Sequence, residues 1–277
     1  MTRDELAHLL ENLGLRGNHI VVHASLSSFG DVEGGASTVC GVLLEVVGAS
    51  GTVLMPAFTY AETLGGPAAG SLVASAGGAT SGPVPFHSDV SVSREIGVIA
   101  ETFRHWPGVL RSSHPTHSFC AWGRRAREVL STQRDNNTLG PLKKLNVLQG
   151  HVLLLGTTLQ SVTAIHLAEE QAAAAYLGRR VAVRVNAAGY AERVVLENVP
   201  GCSVAFIKLE ERLDPAKVRS VALPRGTARK IPVRHLVQLA TTLLASDPQA
   251  FACERPGCAS CAAKREAAGA RTPSAWG

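Results

Sequence analysis

The stretch HLAE (166–169) sets a histidine and a carboxylate three residues apart. On a helix, side chains at that spacing share a face. An imidazole with a pKa near neutral can take a proton from an attacking nucleophile. A neighbouring carboxylate can orient the ring and stabilise its charged form. His166 and Glu169 are therefore a candidate base and its orienting acid. The plainer reading of His166 is a polar residue at the edge of an amphipathic helix. A second cluster, RSSHPTHSF (111–119), packs one arginine, two histidines and three serines into nine residues. Small hydroxyl side chains, free backbone N–H groups and one fixed cation can cradle a phosphate. Alone, such a turn is ordinary turn chemistry, and its histidines are most simply satisfied by backbone. A third pattern is Cys253-x4-Cys258-x2-Cys261, with Cys202 upstream. Its spacing suits structural zinc, with Cys202 as fourth donor; the alternative is buried reduced thiols.

Several well-marked chemistries are absent from the sequence. It has no G-x-S-x-G elbow, no P-loop lysine motif and no strand-linked G-x-G-x-x-G. HLAEE is not H-E-x-x-H, and Glu170 stands where H-x-x-E-H needs a histidine. These gaps argue against the common hydrolases, kinases, dehydrogenases and zinc proteases.

The elements that must position these residues follow from periodicity. Thr2-Arg3-Asp4-Glu5 is a capping box that opens a helix running to about Leu13. HIVVHA (19–24), GTVLMP (51–56) and VLLLG (152–156) are short apolar runs suited to buried strands. Helices are expected over 37–47 with Ser37 as cap, over 93–106, over 163–175, over SVAFIKLEERL, and over 233–245. SFCAWG is a strand followed by a turn. RRVAVRV and AERVVLEN, joined by NAAGY, form a β-hairpin. Alternating strands and helices imply a three-layer α/β architecture. Loops leaving strand carboxyl ends then gather around a ligand crevice. HASLSSFG, MPAFTYAE and TTLQS all occupy such positions. Residues 64–84, rich in Gly, Ala, Ser and Pro, read as a long mobile loop placed to act as a lid. The segment from Cys253 onward reads as irregular, ending in a polar tail.

The chain has 277 residues, 45% hydrophobic and 18% charged. This supports one large domain over 1–277 and is too apolar for disorder. No apolar run approaches about 18 residues, so no membrane span is expected. The first residues do not read as a signal peptide, so cytoplasmic location and reduced cysteines are expected. Net charge is +5 and the pI about 9.0, yet the basic residues are scattered and form no nucleic-acid-binding stripe. A small-molecule partner is expected instead.

The order HASLSSFG, GTVLMPAFTY, GVIAETFR, RSSHPTHSFCAWG, VLLLGTTLQSVTAIHLAEE and a terminal Cys-x-x-Cys resembles the aminoglycoside 3-N-acetyltransferases over nearly the whole chain. That resemblance implies a mixed central β-sheet between helices with a smaller β-rich portion, near residues 178–200. It implies transfer of an acetyl group from acetyl-CoA to an amine acceptor, with His166 as general base. Glu197 falls on a family acidic position and competes with Glu169 as the partner of His166. Glu62, Gln160 and Glu197 would face the acceptor. Ser25, Ser28, Arg111, Ser113, His114 and Ser118 would carry CoA, and backbone N–H groups near 25–28 or 157–161 would bind the oxyanion.

The chain departs from the family pattern close to its best motif. Gln160 replaces an aspartate, Val162 an asparagine, and Val199 an acidic residue. A polycationic acceptor calls for carboxylates in its site. A less cationic amine from a biosynthetic pathway is therefore an alternative acceptor. A CoA-binding relative without turnover is a third reading.

Overall fold

Thr2 Oγ1 accepts from the Glu5 N–H at 3.3 Å, and Glu5 Oε2 accepts from the Thr2 N–H at 2.7 Å. This capping box starts α1, Arg3–Glu11, which turns Leu6 and Leu10 inward. The computed structural model describes residues 1–59, 84–172 and 178–269. After α1 come β1 (His19–Ala24), α2 (Gly35–Val47), β2 (Thr52–Pro56) and α3 (Val98–Arg104). Next are β3 (Leu110–Arg111), β4 (Phe119–Gly123), α4 (Ala126–Leu130), α5 (Gly140–Val147) and β5 (His151–Leu155). The chain continues with α6 (His166–Gln171), β6 (Gly178–Val185), β7 (Ala191–Val199), β8 (Arg219–Leu223) and β9 (Gly226–Pro232). It ends with α7 (Val233–Ser246) and α8 (Ala259–Gly269).

Seven strands form one sheet in the order β3-β4-β2-β1-β5-β9-β8. The central trio β2, β1 and β5 is parallel, with Ile20 opposite both Val53 and His151. β4 and β9 flank it antiparallel. Successive side chains on a strand point to opposite faces, and both faces are apolar. Val21, Leu54, Val152, Leu154 and Ile231 meet Val129, Leu142, Leu167 and Leu236 of α4 to α7. Ile20, Val22, Val53, Leu153 and Leu155 meet Leu6, Leu43, Ile99 and Phe103 of α1 to α3. Strands covered on both sides read as continuous apolar runs, which is why HIVVHA and VLLLG show no alternation. The result is a three-layer α/β/α fold with a mixed central sheet. β6 and β7 form the expected hairpin, and Phe86 bridges in parallel to Arg184 on the other side of β6.

Several elements differ from the sequence expectation. α2 begins two residues before Ser37, and its cap is Gly34 at φ 75°. The segment 93–106 breaks at Gly97, whose φ of 96° separates a 3-10 turn from α3. The run 163–175 divides into a 3-10 turn, Thr163–Ile165, and α6. β9, for which no strand was expected, zips along β5 with Leu155 opposite Ala228. α8 occupies a segment expected to be irregular. The 64–84 loop lies almost wholly outside the described residues. Among the described residues, no helix is long and apolar enough to cross a membrane.

Candidate active site

The carboxyl ends of β1 and β5 are tied together. Ser25 N–H donates to Leu155 O at 2.9 Å, and Thr157 Oγ1 donates to His23 O at 3.2 Å. Ser28 Oγ donates back to Ser25 O at 2.7 Å. Gly156 makes this approach possible, because a Cβ there would lie 2.0 Å from Ser28 Oγ, and its φ is +71°. The chain then turns through a 3-10 segment, Leu159–Ser161, capped by Thr158. Glu210 accepts from the Leu159 N–H at 3.4 Å while forming an ion pair with Arg229 of β9 at 2.5 Å. The loop is thus anchored from behind, and it delivers His166 as the first residue of α6.

His166 Nδ1 donates to Glu169 Oε2 at 2.6 Å. Glu169 Oε1 accepts from Lys264 Nζ of α8 at 2.5 Å. Lys264 also donates to Cys202 O at 2.7 Å. The three side chains are 3%, 0% and 1% exposed, so water does not satisfy them. Phe206 sets its ring against the imidazole at 4.7 Å, backed by Phe251 at 4.9 Å. With Nδ1 given to Glu169, the lone pair lies on Nε2, which has no hydrogen bond among the described residues. The arrangement is an imidazole, a carboxylate and a buried cation in series. Burial pushes the His166 pKa down; Glu169 pushes it up, and Lys264 pushes it down. The net direction is downward from 6.5, which favours the neutral ring at pH 7.

Burial also pushes His23 and His114 down to about 4, and His117 well below its ordinary 6.5. Below pH 6.5 the unfolded chain takes up protons that these folded rings refuse. Stability is then full above about pH 6.5 and falls as pH drops toward 4. Each pKa unit corresponds to about 1.4 kcal/mol. Chemical denaturation from pH 7.5 to 4.5 is expected to show a steep loss of stability starting near 6.5. A flat profile would contradict the buried-neutral assignment.

A model of the aminoglycoside 3-N-acetyltransferase family matches residues 21–245. The chain belongs to that family. Over 190 residues it is 36% identical to the SPbeta prophage-derived aminoglycoside N(3')-acetyltransferase-like protein YokD of Bacillus subtilis (strain 168), a stretch covering 61% of this chain and 64% of YokD. Over 178 residues it is 35% identical to aminoglycoside N(3)-acetyltransferase IX of Micromonospora chalcea, covering 61% of this chain and 62% of that protein. These matches span less than two thirds of either relative. The fold matches the crystal structure of the aminoglycoside acetyltransferase AAC(3)-IVa apoenzyme at TM-score 0.76 and 28% identity, covering 96% of this chain and 97% of that one. It matches AAC-IIIb in a binary structure with CoASH at TM-score 0.74 and 28% identity, covering 89% and 97%.

Within this family member, the other expected site residues fall in distinct places. Glu169 holds His166; Glu197 does not. Glu197 is exposed on β7, and its backbone carbonyl accepts from Thr138 Oγ1 at 2.9 Å. Gln160 is exposed on the 3-10 turn after β5. Glu62 lies outside the described residues. Ser25 is half-buried, with its hydroxyl 3.0 Å from that of Ser27. Ser113 is exposed. Arg111 is spent inside the protein: it donates to Ser118 Oγ at 3.1 Å, to Ala57 O at 2.9 Å and to Ser88 O at 2.8 Å. Ser118 in turn donates to Ala57 O at 2.7 Å. His114 shares a hydrogen bond with Thr138 Oγ1 at 3.0 Å and accepts from the His117 N–H at 3.1 Å. The RSSHPTHS turn is thus braced by its own arginine and histidine, and its exposed serine faces outward. Sequence reasoning missed Lys264. Cys261, Lys264 and Ala268 are the buried residues of α8; their helical spacing, with a lysine on the apolar stripe, was the available signal.

Proposed function

We propose that this chain is an acetyl-CoA-dependent N-acetyltransferase, that its acceptor is an amine of an aminoglycoside, and that His166 is its general base. The observation that carries the reading is the 2.6 Å bond from His166 Nδ1 to Glu169 Oε2, placed just beyond the carboxyl end of β5. In this mechanism Nε2 removes a proton from the acceptor amine as the nitrogen attacks the thioester carbonyl. The C–N bond forms, and the tetrahedral intermediate collapses with loss of the C–S bond. The imidazolium returns its proton to the departing thiolate, so the products are an amide and CoASH. Glu169 stabilises the imidazolium between these steps. The backbone N–H groups of Thr157 and Thr158, without partners among the described residues, supply the oxyanion donors.

The similar AAC-IIIb structure holds CoASH, and a mutant of AAC(3)-IVa holds a gentamicin. Both support this assignment of cosubstrate and acceptor class. For CoA, we assign direct contact to Ser25 and Ser113, whose hydroxyls are the more accessible. Ser28, Arg111, His114 and Ser118 shape the surface from beneath. Glu197 and Glu62 remain our candidates for acceptor contact, and we place the reaction in the cytoplasm.

A second reading changes only the acceptor. Val162 and Val199 are packed in the interior, so neither position offers a charged group to a polycation. Gln160 is exposed and neutral. An amine of lower charge from a biosynthetic pathway fits a site without these carboxylates. Release of CoASH, followed with a thiol reagent over a panel of amines, tests both readings. Turnover with an aminoglycoside supports the first, and turnover only with less charged amines supports the second. Acetyl-CoA binding without turnover on any amine would sink the enzymatic assignment.

A further inference from the structure

Four cysteines converge in a part of the molecule that the proposed chemistry does not use. The Sγ atoms of Cys202, Cys253, Cys258 and Cys261 all lie within 4.8 Å of one another. None is in a disulfide; three are buried and Cys258 is half-buried. Cys202 follows β7, Cys253 follows α7, and Cys258 and Cys261 flank the first turn of α8. The Cys261 N–H donates to Cys258 O at 3.0 Å, so the two-residue spacing stacks these thiols along one turn. A zinc ion with four sulfur ligands at about 2.3 Å needs sulfur–sulfur separations of about 3.8 Å. The largest separation here, within 4.8 Å, exceeds that value by about 1 Å.

The surroundings are built for negative charge. The Cys253 N–H donates to Cys261 Sγ at 3.2 Å. The Cys202 N–H is held by Ser260 Oγ at 3.0 Å. Two consecutive cations of α8 bind carbonyls of the ligand residues: Lys264 on Cys202 O at 2.7 Å, and Arg265 on Cys253 O at 2.9 Å. A divalent cation with four thiolates carries net charge −2; Arg265, together with Lys264, which is shared with Glu169, offsets part of it. Outer partners of this kind orient and tune metal ligands.

We propose that Cys202, Cys253, Cys258 and Cys261 hold one zinc ion in a closed structural site, and that this site fixes α8 so that Lys264 reaches Glu169. Four protein ligands leave no open position, so the ion takes no part in the reaction. Its effect on the active site runs through one turn of helix, from Cys261 to Lys264. The metal site stands independently of the proposed acetyl transfer.

Inductively coupled plasma mass spectrometry of the full chain, purified without a histidine tag, is expected to find one zinc per chain. Cys258→Ser and Cys261→Ser are each expected to lose it. Cobalt loaded into the wild-type protein is expected to show thiolate-to-cobalt charge transfer, which decides the matter if the variants do not fold. Stripping the metal with a chelator is expected to raise hydrogen exchange across 259–269. Wild-type protein that neither contains zinc nor takes up cobalt would overturn the site, as would two disulfides found by alkylation and mass spectrometry. Unchanged exchange after metal loss would overturn its link to Lys264.

Discussion

Replacing His166 with alanine is expected to lower kcat by about 10²–10⁴-fold while CoA still binds. The range is what a positioned general base contributes. CoA affinity is expected to persist because the serines assigned to it sit on the β1 turn and the 111–119 turn. The imidazole also packs edge-on against Phe206, so denaturation of the variant must accompany the kinetics. A rate loss greater than any population shift isolates the chemical role. The pH profile gives a second readout. Burial lowers the His166 pKa, so the acid limb of kcat/KM is expected below pH 6.5. Glu169 pushes that pKa up, so Glu169→Gln is expected to move the limb further down and to slow turnover as well. Near-full activity in His166→Ala, or an acid limb unmoved in Glu169→Gln, would remove His166 from the role of base.

The sequence carried the central strands and offered Glu169, beside Glu197, as partner of His166, because these signals are local. HIVVHA and VLLLG are apolar throughout, since helices cover both faces of the sheet. His166 and Glu169 lie three residues apart, and one helical turn is enough to bring them together. What stayed hidden depends on distant pairing. β9 escaped notice because its basic residues Lys230 and Arg229 find their partners across the fold: Gly14 O at 2.8 Å and Glu210 at 2.5 Å. Arg111 looked like a phosphate anchor, yet it is consumed by carbonyls of residues 57 and 88, contacts that no local spacing encodes. The break at Gly97 illustrates a third limit. The apolar period continues through it, and the φ of 96° at Gly97 separates the 3-10 turn from α3.

Lys264→Met is expected to destabilise the protein by about 3–5 kcal/mol, because it strands a buried carboxylate without its cation. Glu169 is fully buried, and its Oε1 is bonded to Lys264. Methionine fills a similar volume, so the loss reports charge and hydrogen bonding rather than a cavity. The double variant Lys264→Met/Glu169→Gln removes both charges. It is expected to recover part of the lost stability, with a coupling energy that a double-mutant cycle extracts. The kinetic effect has the opposite sign to that of Glu169→Gln. Lys264 pushes the His166 pKa down, so its removal is expected to move the acid limb of kcat/KM upward. A lysine that only packed α8 would alter stability and leave the limb in place. Additive single-variant effects on stability, together with an unmoved acid limb, would therefore detach Lys264 from the dyad. Opposite pH shifts from the two ends of one ion pair would place both residues on the same electrostatic line to Nε2.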